Sequence, residues 1–173
     1  MTKTRLTVTR IVAALIVIAI SVSIYSIRDR ADQFAVYGYP GIFFLAFLAY
    51  STVLLPAPGL AMIFTLGAVF HPLGVALAAG SGAALGELTG YMAGFSGQAF
   101  VERTDIYTRL TGWMKINGPL TILLLAALPN PFFDIVGVTA GISKIPLLKF
   151  IFWCWVGETL KMLLFALAGS GIL

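Results

Sequence analysis

Four ionisable side chains lie within otherwise apolar stretches of the sequence. They comprise three carboxylates and one ammonium: Glu87, Asp134, Glu158 and Lys161. An ionisable group at membrane depth is costly, and it usually marks a substrate or ion pathway. Because a low dielectric disfavours charge, three acids and one base cannot all stay ionised cheaply. We therefore expect at least one acid to be protonated near neutral pH or to bind a cation.

Structural interpretations compete with this functional one. Asp134 follows a chain break, and it would cap a helix there by accepting backbone N–H bonds. Glu158 and Lys161 lie three residues apart on one predicted helix and would neutralise each other. Glu87 has no cap to make and no charged neighbour at helical spacing, which favours a functional role. For the Glu158–Lys161 pair, the sequence leaves the structural and functional interpretations open.

One chain break interrupts the apolar run of residues 120–141. Pro129 and Pro131 stand two residues apart, and each disrupts a helix because it lacks an N–H and collides with the preceding turn. Asn130, between them, adds an amide to the break. In hydrocarbon, such a break survives only where protein or a water cavity covers it. The predicted half-helices are residues 120–128 and 132–142.

A second break lies in the apolar run of residues 41–70. Pro56, Pro58 and Gly59 divide this run, and neither half reaches the roughly 20 residues of a membrane helix. We interpret each interrupted run as a re-entrant hairpin, which enters and leaves the membrane on one side; the alternative is a single kinked spanning helix. Such paired interruptions indicate a transporter site. The predicted halves here are residues 42–55 and 60–70, with Pro40 opening the first.

The composition indicates an integral membrane protein. Of the 173 residues, 60% are hydrophobic and 10% are charged, whereas soluble chains carry about 25% charged residues. The formal net charge of +4 is spread without a basic cluster, so nucleic acid is not an expected partner. The chain lacks a metal-ligand pattern, a nucleophile motif and a Gly-rich phosphate loop. We therefore expect no cofactor, no metal and no catalytic activity.

Four further segments complete the predicted all-α architecture. Residues 11–27 form a short N-terminal membrane helix, for which a cleaved signal peptide is the alternative. Residues 99–117 form an amphipathic helix in the membrane interface, with a solvated loop as the alternative. Residues 147–173 form the last span. Residues 73–97 form a full span with glycines every fourth residue, which suit close packing within the chain or a homodimer: Gly82, Gly86, Gly90 and Gly94.

The two halves of residues 38–173 repeat each other. Their equivalent motifs are Leu55-Pro56-Ala57-Pro58 with Leu128-Pro129-Asn130-Pro131, Gly67 and Pro72 with Gly141 and Pro146, and Gly86-Glu87 with Gly157-Glu158. The first motifs are 73 or 74 positions apart and the last are 71 apart, so one span carries a small insertion or deletion. The predicted units are an N-terminal helix and loop (1–37), repeat 1 (38–98), the amphipathic linker (99–117) and repeat 2 (118–173).

The basic residues predict an orientation. With a cytoplasmic N-terminus, eight Lys and Arg residues fall inside and two fall outside, which satisfies the positive-inside rule. In this multi-pass topology of the cell (inner) membrane, the two hairpins enter from opposite faces and their tips meet near mid-membrane. The half-helix that follows each break presents free N–H groups, and such ends favour an anion, of which a lipid phosphate is one candidate.

These motifs resemble the DedA / SNARE-associated Golgi protein (VTT domain) superfamily. The resemblance covers about residues 38–169 and rests on the Leu-Pro-x-Pro breaks, the glycine-rich stretch 86–94 and the stretch 131–141. It implies two opposed re-entrant hairpins and a lipid-handling role, since members are similar to phospholipid scramblases and to flippases of phospholipid or polyprenyl phosphate. Asp134 corresponds by position to the second-hairpin motif. The sequence looks like a short, divergent prokaryotic branch.

The leading functional expectation is therefore a lipid transporter. Membrane lipids are the expected partners, with a proton or monovalent cation as a second candidate. The alternatives are a proton- or cation-coupled transporter of a small solute and a membrane scaffold. The substrate- or ion-binding candidates are Glu87, Asn130, Asp134, Glu158 and Lys161, and the hairpin breaks are Pro56, Pro58, Gly59, Pro129 and Pro131.

Overall fold

The computed structural model describes residues 31–51, 58–96, 105–129 and 133–172. Within these ranges the regular elements are α1 (Ala31–Ser51), α2 (Pro58–Gly67), α3 (Pro72–Gly86), α4 (Leu88–Phe95), α5 (Asp105–Ala127), α6 (Phe133–Ile142) and α7 (Leu147–Ser170). The described part of the chain is therefore all-α, as predicted. The predicted N-terminal membrane helix, residues 11–27, lies outside the described residues.

The last helix, α7, has the dimensions of a membrane span. Among the described residues it is the one helix that is both long and apolar enough to cross a membrane, with 24 residues. At 1.5 Å per residue this length exceeds the roughly 30 Å of the hydrocarbon core. Gly171 ends α7 in the left-handed conformation, with φ 75°, a backbone geometry that glycine adopts without strain. A shorter apolar helix, Gly38–Ser51, lies within α1.

Helices α3 and α4 follow one helical path through Glu87. The Glu87 N–H donates to the Ala83 carbonyl at 3.0 Å, and the Tyr91 N–H donates to the Glu87 carbonyl at 3.1 Å. The path begins at Pro72, after the N-cap residue His71, where a proline needs no N–H partner. Residues 72–95 therefore form the continuous helix that the sequence predicted.

Helix α1 begins earlier than predicted. The sequence predicted that this helix begins at Pro40, whereas α1 begins at Ala31 and contains Pro40 in its interior. A proline removes only one helical hydrogen bond, and tertiary contacts next to it hold the chain. The Tyr39 ring lies 5.8 Å from the Phe70 ring and covers Gly74. The charged loop expected before Pro40 is consequently helical from Ala31 onward.

A kink at Asn117 separates the linker from the second repeat inside α5. Asn117 has φ −151° and ψ 79°, outside the helical region. Its side-chain oxygen accepts the Leu120 N–H at 3.2 Å, and its carbonyl accepts the Thr121 hydroxyl at 2.9 Å. Asn117 is thus the N-cap of the segment that follows, with Pro119 in the first turn. The predicted boundary after residue 117 is where the helix direction changes.

Not all of the apolar side chains in the linker part of α5 are buried. Leu110 and Met114 are buried, but Trp113 is 52% exposed. At about 100° per residue, Trp113 lies roughly 60° to one side of Leu110, at the margin of the buried stripe. Arg109 and Lys115 are exposed, so this part of α5 is amphipathic as expected. Residues 99–104 lie outside the described part.

The second break lies where the two prolines predicted it. Helix α5 ends at Ala127 and α6 begins at Phe133. Leu128 and Pro129, after α5, are non-helical and exposed. Only flanking elements are described at the first break, since residues 52–57 lie outside the described ranges.

Helices α1 and α3 run in the same direction. Contacts along their length rise together in residue number, pairing Tyr39 with Gly74, Phe43 with Gly82, and Phe47 with Gly86. The end of α1 therefore lies beside the end of α3. The start of α3 lies beside the start of the apolar segment Gly38–Ser51 of α1. Helix α2 therefore belongs to the part of the chain that returns from the end of α1 to the start of α3.

The second half of the chain has the same arrangement. Gly118, which follows the kink in α5, contacts the side chain of Ile145, just before α7. Further along both helices, Gly157 of α7 contacts Leu123 and Ala126 of α5. Helices α5 and α7 therefore run in the same direction, and α6 is the returning helix.

The α3–α4 path and α7 are antiparallel to each other. The α3–α4 path meets α7 at three points: Gly80 with Thr159, Ser81 with Trp155 through a 2.9 Å hydrogen bond, and Tyr91 with Phe150 through rings 4.9 Å apart. Residue numbers rise on one helix and fall on the other.

Each returning helix packs on the span of the other half. Helix α2 lies against α7, and α6 lies against α4. Glycines permit these close approaches: Gly67 meets Ala166, Gly169 meets Phe64, Gly141 meets Tyr91, and Gly94 meets Val138. The glycines at 82, 86 and 94 are thus used for contacts within the chain.

Candidate functional site

Three of the four predicted ionisable side chains lie in the core between the two halves. Glu87 is 2% exposed, Glu158 is 0% exposed and Lys161 is 4% exposed. Charged side chains are almost never buried to this extent unless other groups compensate them. All three side chains are on the two antiparallel helical paths, Glu87 between α3 and α4, and Glu158 and Lys161 in α7. The backbone of Glu87 makes the helical hydrogen bonds described above.

Lys161 and Glu158 form a buried ion pair. The Lys161 ammonium donates to Oε1 of Glu158 at 2.7 Å, across one turn of α7. The two side chains therefore form the ion pair that their spacing on one helix allows. The ammonium also lies 5.3 Å from the centre of the Tyr50 ring, within the range of a cation–π interaction. Because Tyr50 is in the last turn of α1, Lys161 connects the first hairpin to the last span.

The Glu87 carboxylate lies against the backbone of α6. A Cβ placed on Gly137 would be 3.3 Å from Oε2 of Glu87, so glycine leaves the space that the carboxylate uses. Two residues further along the same helical path, the Thr89 hydroxyl is within hydrogen-bond distance of the carbonyls of Ser51, at 3.3 Å, and Gly86, at 3.0 Å. The region around Glu87 thus contacts the first hairpin on one side and the second on the other.

Cys154 lies beside the ionisable group and is fully buried. Its thiol is within electrostatic reach of Glu158, Glu87 and Lys161. The side chain belongs to an apolar cluster with Phe150, so Cys154 contributes to core packing. Two carboxylates and one ammonium therefore share a single region of low dielectric around this thiol.

The remaining predicted site residues belong to the two breaks. The backbone of Asp134 is in the first turn of α6, and its side chain is outside the described part. Pro58 and Gly59 begin α2, and Pro129 follows α5. Asn130, Pro56 and Pro131 lie outside the described residues. In the described ranges, no group of His, Cys, Asp or Glu side chains is arranged to hold a metal ion.

Two residues of this site were not identified from the sequence. Tyr50 approaches Lys161 only through the tertiary packing of α1, and nothing in the local pattern around Tyr50 indicates this. Gly137 lies in a motif that the sequence analysis quoted, but its closeness to Glu87 depends on how α6 crosses α4. Both contacts are long-range and follow from the tertiary arrangement.

The distribution of polarity defines the class of protein. Large apolar side chains are exposed on the outer surface, among them Phe44, Leu48, Met92, Leu148 and Leu164, while Glu87, Glu158 and Lys161 are buried inside. An apolar exterior around a polar interior suits lipid as the surrounding solvent, where buried ionisable residues are functional candidates. The protein is membrane-associated, and the part that the structure describes is all-helical.

The family follows from a comparison with known domains. The model of the VTT domain matches residues 55–171, which include both Gly-Glu pairs and helices α2 to α7. The chain belongs to the VTT domain family, the domain of DedA and SNARE-associated Golgi proteins. Comparison with curated proteins and with solved structures gives no match.

Proposed function

We propose that this protein moves the headgroups of membrane lipids between the two leaflets. In this account the acyl tails stay in the bilayer while the headgroup crosses the protein along buried polar side chains. The observation that carries the proposal is the group formed by Glu87, Glu158 and Lys161, which is nearly sealed from the surface within a VTT domain. No covalent step is required, so the proposed function is transport and not catalysis.

The path of the chain supports two re-entrant hairpins that enter from opposite leaflets. Each hairpin's first helix runs parallel to the span of its own half, and the two spans are antiparallel. Two hairpins related in this way point in opposite directions. Their tips then approach the buried ionisable group from both sides. Transporters built from opposed repeats typically bind their substrate near the membrane midplane.

The proposed polar groups have complementary roles. Ionised carboxylates such as Glu87 accept hydrogen bonds from donor groups of a headgroup. The amino-terminal end of α6, which begins at Phe133, carries a positive dipole that favours a phosphate. We propose Asn130 and Asp134 as further headgroup contacts next to that end. The excess of Lys and Arg on one side supports an inner-membrane protein with a cytoplasmic N-terminus.

Reconstitution into liposomes tests the proposal. Purified protein is placed in vesicles that carry fluorescent phospholipids or a labelled polyprenyl phosphate, and bleaching of the outer leaflet reports how much label has moved. We expect movement well above that in protein-free vesicles, and strongly reduced movement in Glu87→Gln. Wild-type protein that moves none of these lipids faster than protein-free vesicles would contradict the proposed function.

A second candidate is a transporter of a small solute that is coupled to protons or a monovalent cation. The buried Glu87 carboxylate supports it, since proton relays in membrane proteins use acids of this kind. Electrical recordings on solid-supported membranes distinguish the two candidates. Currents that depend on pH and disappear in Glu87→Gln, in vesicles without lipid movement, would favour the coupled transporter.

A further inference from the structure

Three basic side chains from separate parts of the sequence lie at one end of the molecule. The contact of Gly118 with the Ile145 side chain brings the end of the linker beside the α6–α7 turn. Each of the three is exposed and adjoins in sequence a buried member of one apolar cluster, the pairs being Arg109 with Leu110, Lys115 with Met114, and Lys144 with Ile145. We call Arg109, Lys115 and Lys144 the basic rim of this cluster.

The carboxylates whose side chains the structure describes do not neutralise the basic rim. They are Glu87 and Glu158, and both are buried in the core between the two halves. A surface with charges of one sign attracts partners of the opposite sign. The basic rim therefore favours an anionic partner.

Exposed apolar side chains adjoin the basic rim. On the linker part of α5, Trp113 is 52% exposed and Ile116 is 84% exposed. At about 100° per residue, both lie within roughly 40° of Arg109 around the helix. Leu148, in the first turn of α7, is 80% exposed. Tryptophan, aliphatic and basic side chains together are typical of a helix at the boundary between acyl chains and headgroups, so the partner that fits this surface has an anionic group next to hydrocarbon.

Lys144 occupies a backbone position that suits glycine better. Its φ is 53°, in the left-handed region that most residues avoid. Its N–H donates to the Gly141 carbonyl at 3.0 Å, and the following N–H donates to the Ala140 carbonyl at 3.1 Å, a pattern that commonly ends a helix at a glycine. A lysine here costs stability relative to glycine, but it adds an exposed cation to the basic rim.

The equivalent turn of the first half has no such charge. In the repeat defined above, Phe70 occupies the position of Lys144, and residues 68–71 include no lysine or arginine. The Phe70 ring lies 5.8 Å from the Tyr39 ring, so it packs within the protein. Because the α3–α4 path and α7 are antiparallel, the two turns lie at opposite ends of the molecule. An anionic partner is therefore favoured at the turn of the second half and not at that of the first.

We propose that the basic rim binds the headgroups of anionic phospholipids in the surrounding membrane. Arg109, Lys115 and Lys144 neutralise the net negative charge of these headgroups, while Trp113 and Ile116 lie against the acyl chains. Zwitterionic phospholipids present the same phosphate and the same tails without a net charge, so they bind more weakly. The lipid bound here is a partner at the protein surface, and the inference does not depend on transport past the buried ionisable group.

Competition between two lipids tests the basic rim. Purified protein in a neutral detergent is mixed with equal amounts of phosphatidylglycerol and phosphatidylcholine that have the same acyl chains, and native mass spectrometry counts the molecules retained. We expect a clear excess of phosphatidylglycerol on the wild type. Each basic side chain near an anionic lipid contributes about fivefold in affinity. The triple variant Arg109→Gln with Lys115→Gln and Lys144→Gln should therefore lose at least about tenfold of this preference.

The matched control keeps the charges. Arg109→Lys with Lys115→Arg and Lys144→Arg should retain the preference within about twofold of wild type. All three positions are exposed, so both triple variants should fold, which size-exclusion chromatography checks. A wild type without any preference, or a glutamine variant that prefers phosphatidylglycerol as strongly as the wild type, would overturn the inference.

Lys144→Gly separates lipid binding from folding. In detergent without lipid it should melt at or above the wild-type temperature, because glycine adopts the left-handed conformation without steric cost. It should nevertheless retain about fivefold less phosphatidylglycerol. A loss of lipid in a variant that is no less stable cannot result from unfolding, and unchanged retention would contradict the inference.

Photo-crosslinking locates the bound lipid. The probe is a phosphatidylglycerol with a diazirine in its headgroup, in vesicles of phosphatidylethanolamine and phosphatidylglycerol, and mass spectrometry identifies the labelled peptides. We expect label in residues 108–118 and 142–148, and label that persists in excess inorganic phosphate supports a lipid site. Equal label in residues 68–75 would overturn the assignment to one end. Label that inorganic phosphate displaces completely would show a site for free anions and would overturn the lipid assignment.

Discussion

Replacing Gly94 by alanine tests the contact between α4 and α6. A Cβ on Gly94 would lie 2.8 Å from the carbonyl carbon of Val138 and would overlap its oxygen, whereas non-bonded carbon atoms prefer about 3.5–4.0 Å. The obstructing atoms are backbone, so no side-chain rotation relieves the overlap and α6 must move outward by about 1 Å. Overpacking of this kind typically costs about 1–3 kcal/mol.

Gly112→Ala is the matched control. Gly112 is also inside a helix, but a Cβ there would meet nothing within 4 Å. Alanine brings both helices the same gain in intrinsic propensity, about 1 kcal/mol, and this gain cancels when the two variants are compared. The difference in unfolding free energy is then the packing cost alone, about 1–3 kcal/mol. At roughly 2–4 °C per kcal/mol for a chain of this size, Gly94→Ala should melt about 2–12 °C below Gly112→Ala.

The assay is thermal unfolding of both variants in the same detergent, followed by tryptophan fluorescence and checked by size-exclusion chromatography. Gly94→Ala should be the less stable variant at every detergent concentration. A melting temperature of Gly94→Ala at or above that of Gly112→Ala would refute the close packing of the returning helix on the opposite span.

Two further predictions concern buried polar contacts. Lys161→Met leaves the Glu158 carboxylate buried without the ammonium 2.7 Å away, so it should cost about 3–5 kcal/mol. Lys149→Met, at an exposed position of the same helix, should stay within about 0.5 kcal/mol; equal unfolding temperatures of the two variants would contradict the ion pair. Tyr91→Phe removes a buried 2.6 Å hydrogen bond to the Ile145 carbonyl before α7 and should cost about 1–3 kcal/mol in thermal unfolding; a melting temperature equal to that of the wild type would contradict this hydrogen bond.

Local chemistry made part of this fold predictable. The break after Ala127 follows from two prolines, which act within one helical turn. The ion pair between Glu158 and Lys161 follows from their spacing on a helix. Asn117 caps the helical segment that follows it, at the predicted boundary between the linker and repeat 2. Each of these features depends on residues that are neighbours in the sequence.

Long-range packing determined what could not be predicted. Helix α1 continues through Pro40 because contacts with Phe70 and the start of α3 stabilise that region. The sequence repeat indicated a length difference before the Gly-Glu pairs, since Pro72 and Gly86 are 14 positions apart whereas Pro146 and Gly157 are 11 apart. The contacts of Tyr91 and Ala166 show a second difference, after the pairs, where α7 is the longer helix. The placement of Lys161 on the Tyr50 ring depends on the residues that follow Glu158 in α7 and on how α1 and α7 approach each other. A periodic sequence pattern encodes neither feature.

The account depends most on two hairpins that open to opposite sides of the membrane. Single cysteines at His71 and Lys144, which are exposed beside the ends of α2 and α6, test this in a chain whose buried Cys154 is replaced by alanine. A membrane-impermeant maleimide is added to intact cells and then to permeabilised cells. We predict that His71→Cys reacts from outside and that Lys144→Cys reacts only after permeabilisation. Labelling of both cysteines from the same side would contradict the opposed hairpins and the transport route built on them.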